Sequence, residues 1–81
     1  MYFVYILKCA DGTLYTGSTN DVEKRLAVHS SRLGAKYTRA RLPVKLVYVE
    51  KLKSKSKALK REWEIKHWPR GKKIKELYLK L

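Results

Sequence analysis

Cysteine is nearly absent from this 81-residue chain, which contains only Cys9. No disulfide can form within the chain, and a cysteine-cluster zinc site is excluded. The sequence also lacks a long apolar run and a charged-then-apolar leader pattern, which argues against a membrane helix and a signal peptide. We therefore expect a soluble protein of the cytoplasm with no disulfide partner.

Acidic residues are scarce as well: seven Asp and Glu stand against twenty Lys and Arg, for a formal net charge of +13. Such an excess favours a polyanionic partner, nucleic acid before an anionic membrane. Membrane binding would need a basic helix with a broad exposed apolar face, whereas the predicted helices need their apolar faces for the core. We expect nucleic-acid binding and no membrane binding; a basic composition that serves solubility alone is the alternative.

The length allows one domain, which we place at residues 1–81. Apolar patterning predicts strands at 2–9, 13–17 and 44–52, helices at 18–32, 54–68 and 71–81, and a loop at 33–43. Asn20 with Glu23 fits a capping box for the first helix; Ser54 or Ser56 caps the second, and Pro69 ends it. The fold class is therefore α+β, a small three-stranded antiparallel sheet flanked by helices in the order β-β-α-β-α-α.

The first two strands form a hairpin whose register decides where two tyrosines point. A two-residue Asp-Gly turn would place Tyr5 and Tyr15 on opposite faces of the sheet. A three-residue loop with Gly12 in the left-handed region pairs Leu7 with Tyr15 and Tyr5 with Gly17, so that both tyrosines share one face. Strand tyrosines are more often packing residues than catalysts, so the pair alone does not establish a site.

Glu62 lies on the apolar side of its predicted helix, where a charged residue is unexpected. At 100° per residue, the apolar face consists of Ala58, Leu59, Trp63 and Ile65, and Glu62 falls inside it. A carboxylate there is unfavourable unless it is paired or binds a cation. Two explanations remain open: a salt bridge to one of the many basic residues, or ligation of a metal ion.

Arg25 and His29 form a second polar feature, one turn apart on the first helix. Both flank the apolar stripe of Val22 and Leu26 and are expected to point toward the sheet. An Arg can clamp a phosphate with two hydrogen bonds, and a His exchanges protons near neutral pH. The alternative is a partly buried pair that hydrogen-bonds to backbone groups.

This ordered set of residues resembles the GIY-YIG nuclease superfamily, and in particular its small single-domain bacterial members. The first motif reads FVY at residues 3–5 and the second YTG at residues 15–17. The helical Arg and His and the late helical Glu follow in the same order as in the family. The resemblance covers nearly the whole chain and implies a three-stranded antiparallel core. It also implies hydrolysis of a DNA phosphodiester with one divalent cation, Mg²⁺ or Mn²⁺.

The resemblance also implies catalytic roles. Glu62 matches the family's metal ligand, and Arg25 matches the arginine that neutralises charge on the phosphate in the transition state. One of Tyr5 and Tyr15 helps to activate the attacking water while the other positions it. His29 matches a position that relays a proton or holds the water.

Some positions depart from the family pattern. The first tripeptide lacks its Gly, and Thr16 replaces Ile in the second. Gly17 is retained, and we expect it to permit a close approach of backbone or substrate. Ser18 stands where some members have Lys, which removes one candidate phosphate contact; Lys8 or Lys36 could substitute for it.

Basic residues concentrate in two segments, residues 32–41 and 51–75, and the second contains eleven Lys or Arg and two Glu. Phosphate contacts of this kind give affinity with little sequence readout. We expect Trp63 and Trp68 to belong to the core; stacking on DNA is the alternative. The residues predicted to contact nucleic acid are Lys36, Tyr37, Arg39, Arg41, Lys55 and Lys57.

The sequence therefore predicts a metal-dependent DNA endonuclease of low sequence specificity, acting in DNA repair or recombination, with DNA a better candidate partner than RNA. The alternative is a DNA- or RNA-binding module that keeps the nuclease fold without its chemistry. A pure binder would not need a carboxylate on an apolar helix face, which favours the enzyme.

Overall fold

The computed structural model describes residues 1–31 and 36–81 and contains a three-stranded antiparallel sheet with helices, as predicted. The elements in chain order are β1 (Tyr2–Lys8), β2 (Leu14–Thr19), α1 (Val22–Ser30), α2 (Lys36–Arg39), β3 (Lys45–Leu52), α3 (Lys55–Lys66) and α4 (Arg70–Glu76). The strand order in the sheet is β2-β1-β3, so β2 is an edge strand.

The short helix α2 differs from the prediction, which gave a loop at 33–43. The observed order is therefore β-β-α-α-β-α-α. This single turn is held by a tertiary contact, because Thr38 lies 2.7 Å from the ring of His29 on α1. Such a contact has no local sequence signal. The predicted end of the first helix at residue 32 and the predicted loop at 33–35 lie outside the described residues.

The hairpin register agrees with the three-residue loop. Leu7 pairs with Tyr15 and Tyr5 with Gly17, and Gly12 has a φ of 85°. Both tyrosines therefore lie on one face of the sheet. Strand β2 continues through residue 19, beyond the predicted end at 17, because residues 18 and 19 pair with β1 rather than starting the helix.

The core lies between the sheet and α3. Val4 and Ile6 of β1 are fully buried together with Ala58 and Ile65 of α3. Tyr5 points to the opposite face, where α1 and α2 cover it. The central strand is thus covered on both faces, as its continuous apolar pattern predicted.

Only half of the residues on the predicted apolar face of α3 are buried. Ala58 and Ile65 are buried, but Leu59 is 49% exposed and Trp63 is 64% exposed. The sheet covers the side of the helix that carries Ala58, Ile65 and the half-buried Glu62, so the neighbouring sector with Leu59 and Trp63 faces solvent. The prediction that Trp63 belongs to the core is therefore wrong.

Trp68 does belong to the core region, as predicted. It is half-buried and packs against the apolar cluster. Its ring also lies beneath two cations, with the guanidinium of Arg61 at 5.2 Å and the ammonium of Lys72 at 4.8 Å. Because Arg61 also hydrogen-bonds to Glu50 on β3, this ring joins the end of α3 to the sheet and to α4.

Side-chain caps fix the starts of two helices. The cap of α1 is Asp21, whose Oδ1 accepts from the backbone N–H of Lys24 at 3.1 Å, so the predicted capping role of Asn20 is wrong. Asp21 takes it because it directly precedes the first helical residue. Ser54 caps α3 by accepting from the N–H of Lys57 at 3.2 Å, one of the two predicted options.

Cys9 is buried as a free thiol. None of the helices in the described ranges has the length and apolar content needed to cross a bilayer.

Gly17 permits a close approach that no other residue would allow. A Cβ there would lie 2.5 Å from the Tyr5 hydroxyl oxygen and 2.7 Å from its Cζ. We expect Gly17→Ala to lower the free energy of unfolding by about 1–3 kcal/mol, since the Tyr5 ring must move. Gly71→Ala is the matched control, because a Cβ at Gly71 meets nothing within 4 Å. Urea denaturation of both variants checks this; equal losses would contradict the close-approach role of Gly17.

Candidate active site

A chain of three buried polar side chains lies on the face of the sheet that α1 and α2 cover. The Tyr5 hydroxyl oxygen lies 3.0 Å from Nε2 of His29, and Nδ1 of His29 lies 2.7 Å from Oγ1 of Thr38. All three residues are buried. Strand β1 and helices α1 and α2 each contribute one member, so the chain forms only when the sheet and both helices pack together.

The environment keeps this chain uncharged at neutral pH. Burial lowers the pKa of His29, and the nearby positive charge of Arg25 lowers it further. Burial raises the pKa of Tyr5, and Tyr15 and Glu62 also raise it, while Arg25 acts in the opposite direction. A neutral imidazole has one donor and one acceptor nitrogen. When Nδ1 carries the proton and donates to Thr38, the Tyr5 hydroxyl donates to Nε2.

Tyr15 completes an aromatic cluster around this chain. Its ring centroid lies 6.4 Å from that of Tyr5 and 5.1 Å from that of His29. Unlike Tyr5, Tyr15 is only half-buried, so its side chain is partly accessible from solvent. We refer to Tyr5, Tyr15 and His29 as the tyrosine–histidine cluster.

Arg25 lies at the open side of this cluster. Its side chain is exposed, and its charge acts on both Tyr5 and His29. It borders a polar pocket of about 310 Å³ that Thr19 and Lys24 also line. Within residues 1–31 and 36–81, no hydrogen bond or ion pair engages its guanidinium. The group is therefore available to a phosphate.

Glu62 reaches the same region from α3 at the edge strand. The Ser18 hydroxyl on β2 donates to Oε1 of Glu62, and the Lys66 ammonium lies 2.7 Å from Oε2. The carboxylate is only 17% exposed, and its charge acts on the Tyr5 hydroxyl. The salt bridge that the sequence offered as the alternative to metal ligation is thus present. The two tyrosines nevertheless lie together, as the enzyme interpretation requires.

The Glu62 carboxylate also fits a hard divalent cation. The carboxylate and the hydroxyl of Ser18 bring oxygen atoms close together. Oxygen is the ligand type that Mg²⁺ and Mn²⁺ prefer. Among the described residues, no group of three or more His, Cys, Asp and Glu could hold a metal ion, at Glu62 or at any other place. A cation at Glu62 would therefore take its other ligands from water and phosphate oxygens.

Helix α2 adds exposed residues beside the cluster, because the ring centroid of Tyr37 lies 6.0 Å from that of Tyr15. Lys36 and Arg39 on α2 are exposed. Tyr37 stacks under the guanidinium of Arg41, which lies 4.0 Å from the ring centroid. Arg41 itself is engaged, with Nε 2.9 Å from Asp11 and Nη1 donating to the Tyr37 carbonyl. Their roles in nucleic-acid binding stay predictions, with Lys36 and Arg39 the freer cations.

The lysines at the start of α3 do not share one side of the helix. Lys55 and Lys57 are both exposed. Lys55 precedes Glu62 by seven residues and lies about 20° from it around the helix axis. Lys57 precedes it by five residues and lies about 140° away. Only Lys55 is placed to reach a strand bound at Glu62.

Three residues of the site were not assigned from the sequence. Lys66 could have been found, because it lies one helical turn after Glu62. Thr38 and Ser18 could not, because their bonds to His29 and Glu62 depend on how separate elements pack, α2 against α1 for Thr38 and α3 against β2 for Ser18. In the sequence, Ser18 stands out only because some family members have Lys at this position. In the structure, its hydroxyl donates to Glu62 and orients that carboxylate.

The buried His29 predicts a pH-dependent stability. Its pKa is lower in the folded chain than the ordinary value of about 6.5, so the unfolded chain gains the proton first as the pH falls. The free energy of unfolding should therefore be greatest above about pH 6.5, the ordinary pKa of His, and decline as the pH falls below it. Denaturation midpoints at several pH values test this. His29→Asn should flatten the decline, whereas the exposed His67→Asn should keep it; equal slopes in all three proteins would refute the assignment.

Comparisons with known proteins show which family the chain belongs to. The family model of the GIY-YIG catalytic domain matches residues 1–75. A UPF0213 protein of Staphylococcus saprophyticus is 55% identical over 74 residues, which cover 91% of this chain and 90% of the relative. A UPF0213 protein of Bacillus pumilus is 53% identical over 78 residues, 96% of this chain and 78% of the relative.

Two structures determined by solution NMR share the fold. The UPF0213 protein BH0048 from Bacillus halodurans is 47% identical and aligns over 96% of this chain and 84% of its own, with a TM-score of 0.62. Protein EF2693 from E. faecalis is 39% identical and aligns over 95% of this chain and 82% of its own, with a TM-score of 0.66. The chain therefore belongs to the GIY-YIG family, with small bacterial UPF0213 proteins as its close homologues.

Proposed function

We propose that this protein is a divalent-metal-dependent endonuclease that hydrolyses DNA phosphodiester bonds with little sequence specificity, in DNA repair or recombination. One observation carries the proposal: the Tyr5 hydroxyl lies 3.0 Å from a buried histidine whose lowered pKa keeps it neutral. A neutral imidazole can accept a proton, the charge of the free Arg25 acts on it, and the charge of the Glu62 carboxylate acts on the Tyr5 hydroxyl. A binding module has no need for this combination.

Tyr5 and His29 can together remove a proton from the attacking water. Burial opposes a free Tyr5 phenolate, so Tyr5 is a poor base alone. In the relay, the phenol oxygen takes a proton from water while its own proton passes to Nε2 of His29. The hydroxide oxygen then attacks phosphorus and the leaving oxygen departs. Tyr15, which is half-buried beside both rings, positions the water.

The charges that develop on the phosphate are met by Arg25. Its exposed guanidinium can donate two hydrogen bonds to phosphate oxygens. These hydrogen bonds become stronger as negative charge grows on the phosphate in the transition state. A Mg²⁺ or Mn²⁺ ion held by Glu62 would supply Lewis-acid stabilisation of the phosphate. Ser18 holds the Glu62 carboxylate in a fixed orientation by donating to Oε1.

The alternative, a DNA- or RNA-binding module without catalysis, is favoured by the Lys66–Glu62 ion pair. The Lys66 side chain is 46% exposed, however, so solvent screens its ammonium and Lys66 can turn away from Glu62. A divalent cation carries twice the charge of the ammonium and can displace it. The ion pair is therefore compatible with the nuclease.

Cleavage and binding measured on the same DNA test the proposal. The purified chain is incubated at low salt with labelled duplex, single-stranded and branched DNA, in Mg²⁺, in Mn²⁺ and in chelator. We expect cleavage that requires metal, and binding that weakens steeply with salt. Tight binding without cleavage in any metal would support the binding module instead. Cleavage that persists in chelator would contradict a metal-dependent mechanism.

A further inference from the structure

Helix α3 exposes an aromatic surface that the proposed chemistry does not use. Trp63 is 64% exposed, and its ring stacks on that of His67 with centroids 4.1 Å apart and planes at 30°. Nδ1 of His67 lies 2.7 Å from the Trp63 carbonyl oxygen and donates to it, which holds the imidazole in place. We call these two rings the Trp63–His67 platform. The exposed Leu59 lies one turn before Trp63 and extends the same surface.

The platform borders the candidate active site. Trp63 directly follows Glu62 and lies about 100° from it around the helix axis. Lys66 projects between them, about 40° from Glu62, and Lys55 lies on the same side. Both lysines are exposed. A strand whose phosphate lies at Glu62 can therefore continue over the lysines and onto the platform.

The positive charge around the platform indicates which class of ligand it would bind. Residues 51–75 contain eleven Lys or Arg and two Glu, and both Glu are ion-paired, Glu62 with Lys66 and Glu64 with Arg61. A second copy of this chain would bring the same positive field and be repelled. A polyanion with flat apolar groups is complementary: lysines hold phosphates while an aromatic face stacks a base.

We propose, building on the nuclease function above, that the Trp63–His67 platform stacks an unpaired base of the DNA strand being cut, so that the protein prefers strands with unpaired nucleotides. In a duplex, each base face is already covered by its neighbours and offers nothing to the platform. An unpaired base exposes both faces and can stack without a pairing penalty. The preference therefore follows from stacking and needs no readout of sequence.

Equilibrium binding in chelator tests this without relying on cleavage. Affinities of wild type and Trp63→Ala are measured by fluorescence anisotropy for one oligonucleotide as a single strand and as a duplex. We expect Trp63→Ala to weaken single-strand binding by roughly 5- to 100-fold and to change duplex binding less than about twofold. Trp63→Phe should recover most of the loss, because it keeps an aromatic face. Tyr78→Ala is the matched control, since Tyr78 is another exposed aromatic residue, located after α4.

The outcomes separate this inference from the nuclease proposal. Equal losses on both DNA forms, or no loss on the single strand, would overturn the stacking role even if the protein cuts DNA. A selective loss in a chain that cuts, with a matching shift of cleavage toward duplex, would support it fully. A selective loss in a chain that never cuts would support the stacking and refute the nuclease.

Discussion

Glu62→Gln should lower metal-dependent cleavage by at least about 10³-fold while DNA binding is kept or strengthened. Gln has nearly the same shape and can still accept from the Ser18 hydroxyl, so packing at the edge of β2 is preserved. It removes the carboxylate proposed to hold the cation. Metal stabilisation of a phosphate contributes several kcal/mol, and each 1.36 kcal/mol changes the rate tenfold. Binding is expected to gain because Lys66 loses its partner and can turn to a phosphate.

The matched control is Glu64→Gln, two residues further along α3. Glu64 pairs with Arg61 and is exposed, and its loss should leave the cleavage rate within a few-fold of wild type. Single-turnover rates and DNA affinities of the three proteins are measured in parallel. If both variants lose activity equally, Glu62 is not the metal ligand.

Tyr5→Phe should lower the cleavage rate by about 10²- to 10⁴-fold, the range for loss of a general base. The substitution removes only the hydroxyl and leaves the ring against Gly17. Because Nε2 of His29 then has no partner in its buried position, unfolding free energy should also fall by about 1–3 kcal/mol. DNA affinity should be unchanged, since the Tyr5 hydroxyl is proposed to act on the attacking water and not to contact the DNA.

The pH dependence distinguishes a relay from loss of packing. In wild type, the relay needs neutral His29, so the rate should fall on the acid side as the pH drops through the lowered pKa of His29, below about 6.5. In Tyr5→Phe, the remaining cleavage rate should no longer fall over this pH range, because His29 no longer takes part in the proton transfer. Tyr15→Phe should keep this pH dependence and reduce the rate less. A larger loss in Tyr15→Phe than in Tyr5→Phe would assign the base to Tyr15 instead.

The hairpin shows what the sequence could predict about this site. Gly12 is the residue that tolerates a left-handed φ, and a three-residue loop ending there sets the register. Strict alternation along β1 and β2 then places Tyr5 and Tyr15 on one face. These rules are local, so they place the two tyrosines of the cluster together, whereas the position of His29 depends on how α1 packs on the sheet.

The buried side of α3 shows what the sequence could not predict. Apolar residues occupy adjoining sectors of this helix, and periodicity cannot tell which sector the sheet will cover. The sheet covers Ala58 and Ile65 and leaves Leu59 and Trp63 exposed. Likewise, the bond from Ser18 to Glu62 spans 44 positions and depends on how α3 packs at the edge of β2.

Paramagnetic broadening by Mn²⁺ tests the assignment of Glu62 most directly. Small amounts of Mn²⁺ are added to the ¹⁵N-labelled chain, with and without a short DNA strand, and backbone amide signals are followed by NMR. Metal ligation by Glu62 predicts selective broadening at Glu62, Gly17 and Ser18, and its loss in Glu62→Gln. Broadening that centres on other residues, or that is unchanged in Glu62→Gln, would contradict a metal site at Glu62.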